Sequence, residues 1–69
     1  MTEHVYKTIE LTGSSYAGIE DAAQKAVDRA GKTLHNLRWF VITDTRGVVD
    51  RDSKLLWQVT IKAGFTLDE

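Results

Sequence analysis

The sequence predicts an α+β fold in the order β-α-β-β, one helix against a three-stranded antiparallel sheet. Residues 5 to 12 alternate apolar and polar side chains with a period of two. Residues 19 to 37 carry apolar side chains three and four apart. Two further runs rich in β-branched and aromatic residues follow, separated by a short stretch of Gly, Asp and Ser. A period of two marks a half-buried strand and a three-and-four spacing marks one stripe of a helix, so these features order the elements.

In the first strand Val5, Ile9 and Leu11 form one side, and Tyr6, Thr8, Glu10 and Thr12 the other. Gly13 is expected to break it, with Ser14 or Ser15 accepting a bond from the free N–H groups of a helix that starts there. The helical stripe is Ile19, Ala22, Ala23, Ala26, Val27, Ala30, Leu34 and Leu37. Its many alanines predict a close approach to the partner surface, because small side chains let backbones come together. Asp21 with Lys25 and Asp28 with Lys32 are i,i+4 pairs on the polar side, and Gly31 predicts fraying between Lys32 and His35. The second strand is expected over residues 38 to 46, the turn over Gly47 to Ser53, and the third strand from Leu55 to Leu67. Leu55, Trp57, Val59, Ile61, Ala63 and Phe65 line its apolar face, and Leu56, Gln58, Thr60 and Lys62 the opposite one.

The whole chain, residues 1 to 69, reads as one domain, with no linker, repeat or low-complexity segment. It has no cysteine, so a disulfide framework is excluded. Nine Lys/Arg against ten Asp/Glu, with the signs interspersed, give no electrostatic footprint for nucleic acid or an acidic membrane surface. No apolar run approaches the roughly 20 residues that span a bilayer, and the first residues lack the basic-then-apolar layout of a signal peptide, so a cytoplasmic protein is expected. The two histidines, His4 and His35, stand far apart, and no metal site is expected. A lone core of this size gains from burial roughly what ordering the chain costs, so self-association is the expected source of stability.

One helix covers one face of the sheet. Phe40 and Ile42 are expected on that face, which leaves Trp39, Val41 and Gln58, with Tyr6 and Thr8, on the open one. An exposed surface of this kind is an interface more often than bare protein. Trp57 falls on the apolar face of the third strand and is expected in the core. Trp39 has two uses, subunit packing or a plane on which a heteroaromatic ring stacks; the Gln58 amide carries both a donor and an acceptor for the edge of such a ring.

Leu37-Arg38-Trp39-Phe40, then Arg46-Gly47, then Trp57-Gln58-Val59 and the ending Gly64-Phe65-Thr66-Leu67-Asp68-Glu69 resemble the dodecin family of small flavin-binding proteins, bacterial branch. The opening, Val5-Tyr6-Lys7 through Gly13-Ser14-Ser15, does too, and the similarity covers essentially the whole chain without gaps. The resemblance implies a sheet that partly wraps the helix and a homododecamer forming a hollow shell of cubic symmetry. It implies flavin (FMN or riboflavin) stacked in pairs between symmetry-related tryptophans at the position of Trp39. Gln58 matches the glutamine that reads the pyrimidine edge of the ring, and Arg46 an arginine beside the ring that is typical of bacterial members. Some bacterial members bind coenzyme A through basic positions matching Lys7, Arg29 and Lys32, residue types that otherwise serve as solvated charge. Two positions depart from the pattern: Thr66 stands where bacterial members commonly have arginine, and Val41 where many have glutamate.

The function so implied is storage, buffering and photoprotection of flavin without turnover, since no base, nucleophile or metal sits in the inferred pocket. A flavin-dependent reductase using the same pocket is the enzymatic alternative, against which the absence of a dinucleotide motif counts. A purely structural assembly module is the other.

Overall fold

The computed structural model describes residue 3 and residues 5–67; His4, Asp68 and Glu69, which entered the sequence reading, lie outside them. The elements are β1 (Tyr6–Ser15), α1 (Ile19–Thr33), β2 (Leu37–Val49) and β3 (Leu55–Thr66). They form one antiparallel sheet in the order β1-β3-β2, with α1 against it, so the predicted fold class holds. The central strand is β3, which has the cleanest alternation: Val59, Ile61, Ala63 and Phe65 are buried and Lys62 is exposed.

The helix meets the sheet through alanine. Ala22, Ala23 and Ala26 form the core with Val59, Ile61 and Ala63, with Ile9, Leu11, Val27 and Leu37 packed around them. Small side chains bring the helix so close to β1 that a Cβ built on Gly13 would overlap the Ala22 carbonyl oxygen. Gly13 therefore does not break the strand, as the sequence suggested; it lets the helix dock. Its ladder continues through Gly13 opposite Val59, Ser14 opposite Gln58 and Ser15 opposite Trp57.

That continuation also moves the helix start. Neither Ser14 nor Ser15 caps it; the cap position is Gly18, whose φ of 152° suits a residue without Cβ, and no side chain bonds there. The Ser15 hydroxyl accepts from the Ala17 N–H at 2.9 Å and donates to the Asp21 carboxylate at 2.5 Å. This bond first, and the Lys25 ammonium at 3.2 Å second, hold the Asp21 carboxyl below its usual range. The helix ends at Thr33, with Leu34 extended, close to the expected fraying point. Ile19, placed on the buried stripe by spacing, is exposed, as is Val5.

The β2–β3 connection is shorter than predicted. Gly47 stays in β2 opposite Trp57, and the turn is drawn in to residues 50–54. The Asp50 side chain accepts from the backbone N–H groups of Asp52 (2.9 Å) and Lys54 (3.0 Å), a local bond set that favours a turn over strand pairing. The Tyr16 hydroxyl donates to the other Asp50 oxygen at 3.0 Å, tying the hairpin tip to the β1–α1 connection. Trp57, expected in the core, is half-buried beyond the alanine cluster, with its ring beside Gly47.

The helix lies over β1 and β3 and barely reaches β2. Phe40 and Ile42 sit on the helix side of the sheet, opposite Ala63 and Ile61, yet remain 47% and 42% exposed because α1 does not extend over them. The radius of gyration is 14.2 Å, where a compact chain of this length has roughly 11 Å. The excess is the β2–β3 hairpin, which extends past the helix.

Two outcomes follow. Gly13→Ala forces a methyl group against backbone at Ala22, and urea denaturation at fixed subunit concentration is expected to show a loss of about 2 kcal/mol. For Asp50, the Lys54 N–H above all, then the Asp52 N–H and the Tyr16 hydroxyl, outweigh partial burial and lower the carboxyl pKa from 3.8. A lowered folded-state pKa means that the stabilisation is complete above the unfolded-state pKa and is lost as pH falls through the folded value. The amide NMR signals of Asp52 and Lys54 are therefore expected to shift together below about pH 4, and in Asp50→Asn that acid transition disappears.

Candidate functional site

The face of the sheet away from the helix is set by the register of β3. Thr66, Gly64, Lys62, Thr60, Gln58 and Leu56 alternate with the buried set, and their partners share their side. On β1 these partners are Tyr6, Thr8, Glu10, Thr12 and Ser14, with a hydrogen bond of 2.8 Å between the Thr12 and Thr60 hydroxyls. On β2 they are Trp39, Val41, Asp44, Arg46 and Val48.

The β2 set changes parity. Trp39 and Arg46 are an odd number of residues apart and would lie on opposite faces of a regular strand. A register shift between Ile42 and Asp44 inserts one residue, Thr43, whose hydroxyl donates to the Thr60 carbonyl at 3.3 Å. After this irregularity the even-numbered residues face the side that Trp39 and Val41 occupied before it. The shift thus brings Arg46 to the face of Trp39 and directly opposite Gln58. A second shift, between Leu37 and Trp39, sets the indole opposite Gly64.

Trp39 lies over Gly64. A Cβ built on Gly64 would fall within the indole, with Cε2, Cζ2 and Cδ2 as its nearest atoms, so the flat of the ring system rather than its rim covers the glycine. The Tyr6 ring approaches the same indole at 6.0 Å between centroids and 63° between planes, the edge-on arrangement that aromatic pairs favour. Tyr6 and Trp39 are 43% and 39% exposed. One broad face of the indole rests on β3, the Tyr6 ring of β1 stands at a steep angle beside it, and the residual exposure leaves a surface on which a planar ring can stack.

Arg46 and Gln58 form the second part. Directly opposed residues of an antiparallel pair have Cβ atoms about 5 Å apart, so the guanidinium and the amide share one patch. Arg46 Nη2 is 3.2 Å from the Asp44 carboxylate, an exposed pair two residues apart on the same face. Gln58 is half-buried, which limits the directions open to its amide.

The chain does not bring these two parts together. Gly64 and Gln58 are six residues apart on β3, roughly 20 Å at about 3.3 Å per residue. No single tricyclic ring touches Trp39 and Gln58 of one subunit over that span. Lys7, Arg29 and Lys32 are exposed; Lys7 follows Tyr6 at the start of β1 but on the opposite face from Trp39, and Arg29 and Lys32 belong to the second half of α1. Thr66 lies opposite Tyr6, and Val41 opposite Lys62. Gly64 is the residue whose part in the site the sequence reading missed; an isolated glycine within the best-alternating strand is its signal.

Comparison with known proteins agrees with this architecture. The sequence model of the Dodecin family matches residues 5–68. A dodecin from Thermus thermophilus is 43% identical over 65 residues, 94% of this chain and 94% of that protein. The solved dodecin of Streptomyces davaonensis superposes with a TM-score of 0.90 at 40% identity, covering 99% of this chain and all of its own (100%). A solved Mycobacterium tuberculosis protein described as a calcium dodecin with a calcium-binding site superposes at 0.84 with 28% identity, covering 93% of this chain and 91% of its own. With a family match across almost the whole chain, and a β-α-β-β fold shared with solved members, this chain belongs to the dodecin family.

Proposed function

We propose that this protein binds flavin, FMN or riboflavin, and holds it without turnover between subunits of a homododecamer in the cytoplasm. The observation that carries the reading is the Trp39 indole, laid flat on the sheet at Gly64 with surface left open on a chain of this family. Planar, electron-rich indole fits an electron-poor planar ring, and the Gln58 amide, with donor and acceptor, fits a ring edge carrying both. Roughly 20 Å between these groups in one subunit requires that a complete pocket take Trp39 and Gln58 from different copies. The uncovered β2, with Phe40, Val41, Ile42, Val48 and Val49 exposed, is surface for such copies to bury.

A bound flavin would supply a planar chromophore whose excited state a contacting indole discharges by electron donation. The protein's part is to stack the ring on Trp39, to orient its edge with Gln58, and to confine it beside Arg46. Quenching of light-driven side reactions, buffering and storage follow from that arrangement. Among the described residues no group of three His, Cys, Asp or Glu is arranged to hold a metal ion. Coenzyme A, with phosphates at Lys7, Arg29 and Lys32, is a second proposal, supported by the exposure of these three cations.

The test is a titration of riboflavin and of FMN with apoprotein, with native mass measured in parallel. Flavin fluorescence is expected to fall to a small residue at micromolar protein, with a mass of about twelve subunits; Trp39→Ala is expected to abolish most of the quenching with the assembly intact. Unchanged fluorescence on an intact shell would favour an assembly module, and steady oxidation of NAD(P)H by the flavin-loaded protein would favour a reductase.

A further inference from the structure

Two contacts and one register shift converge on Trp39. Its flat side occupies the space that any side chain at position 64 would need. The Tyr6 ring stands against it from β1, with 63° between the two planes. The register shift between Leu37 and Trp39 places it opposite Gly64 rather than opposite a residue with a Cβ.

We propose that Gly64 and Tyr6 are positioning residues that fix the Trp39 indole as a one-sided platform for a planar heteroaromatic ligand. Gly64 acts by the room it leaves. Carbon atoms in contact stand about 3.5–4 Å apart, so a methyl group there lifts the indole by about 1–2 Å or turns it onto its rim. In either case the open face no longer lies parallel to the sheet, and a stacking ligand loses overlap along with whatever its edge meets at Gln58 of another copy. Tyr6 acts from the side. An edge-to-face contact resists rotation of the indole about its side-chain torsions, and keeps the platform in one orientation before the ligand arrives, which lowers the ordering cost of binding. Neither residue needs to touch the ligand.

This inference rests on the flavin reading for the identity of the ligand, but the geometry is testable without it. In a Trp57→Phe background Trp39 is the remaining tryptophan of the two in the sequence. In that background, without flavin, Gly64→Ala and Tyr6→Leu are expected to raise the acrylamide quenching of Trp39 and to weaken its near-ultraviolet circular dichroism, whereas Tyr6→Phe, which keeps the ring edge, retains the parent values. With riboflavin added, Gly64→Ala and Tyr6→Leu are expected to weaken binding by about tenfold or more, and Tyr6→Phe by less than about threefold. Native mass is recorded for each variant, and if Gly64→Ala fails to assemble the two Tyr6 variants decide. Parent-like Trp39 signals in Tyr6→Leu, or parent-like riboflavin affinity in an assembled Gly64→Ala, would overturn the proposal. A parent protein that leaves riboflavin unquenched would instead remove the flavin reading, while the flavin-free signals still decide whether Gly64 and Tyr6 hold the indole.

Discussion

Everything in this subunit follows from one helix having three strands to cover. A helix of fifteen residues, docked at contact distance through Ala22, Ala23, Ala26 and Ala30, covers β1 and β3 and leaves β2 bare. Close docking gives a well-filled small core, and it also narrows the area that the helix shades. Larger residues on the stripe would have stood the helix further from the sheet, at the cost of the close approach to Gly13. The exposed side chains of β2 are the other side of that choice. The two candidate patches stand apart for a separate reason, the six residues between Gly64 and Gln58 along β3.

The two register shifts in β2 set which of its side chains share a face with Gly64 and Gln58 of β3. Without the shift after Ile42, Arg46 would point to the helix side and Gln58 would face a different residue. Without the shift before Trp39, the indole would meet a residue other than Gly64. Both irregularities lie on an edge strand, where an interrupted ladder costs less than in the centre of the sheet and strands commonly re-aim side chains.

The order of elements, the central alternation of β3 and the alanine face of α1 were legible in the sequence, because each is a periodic pattern read directly as exposure. What was not legible depends on contact across the fold. Gly13 looks like a break until the Ala22 carbonyl is seen beside it, and Ser14 and Ser15 look like caps until their pairing with Gln58 and Trp57 is known. The turn was placed too early because Gly47 is a stronger local signal than Asp50, whose side chain gathers the Asp52 and Lys54 amides only once the hairpin has closed. Phe40 and Ile42 were assigned to the correct side of the sheet and the wrong degree of burial, since periodicity reports direction and says nothing of how far a helix reaches. Trp39 and Gln58 were placed on the open face by strand periodicity, and Arg46 was named from family resemblance. Spacing would have separated Trp39 from Arg46, and the register shift explains why it would have misled.

The strand order also bears on how the chain is made. The central strand, β3, is the last of the three to leave the ribosome, and β1 and β2 each pair with it and not with each other. No strand of the sheet finds its partner on a nascent chain until β3 emerges, and until then α1 waits with its alanine face exposed. Since β2 stays bare even then, its exposed Phe40, Val41, Ile42 and Val49 leave the finished chain prone to aggregate for as long as that surface is uncovered.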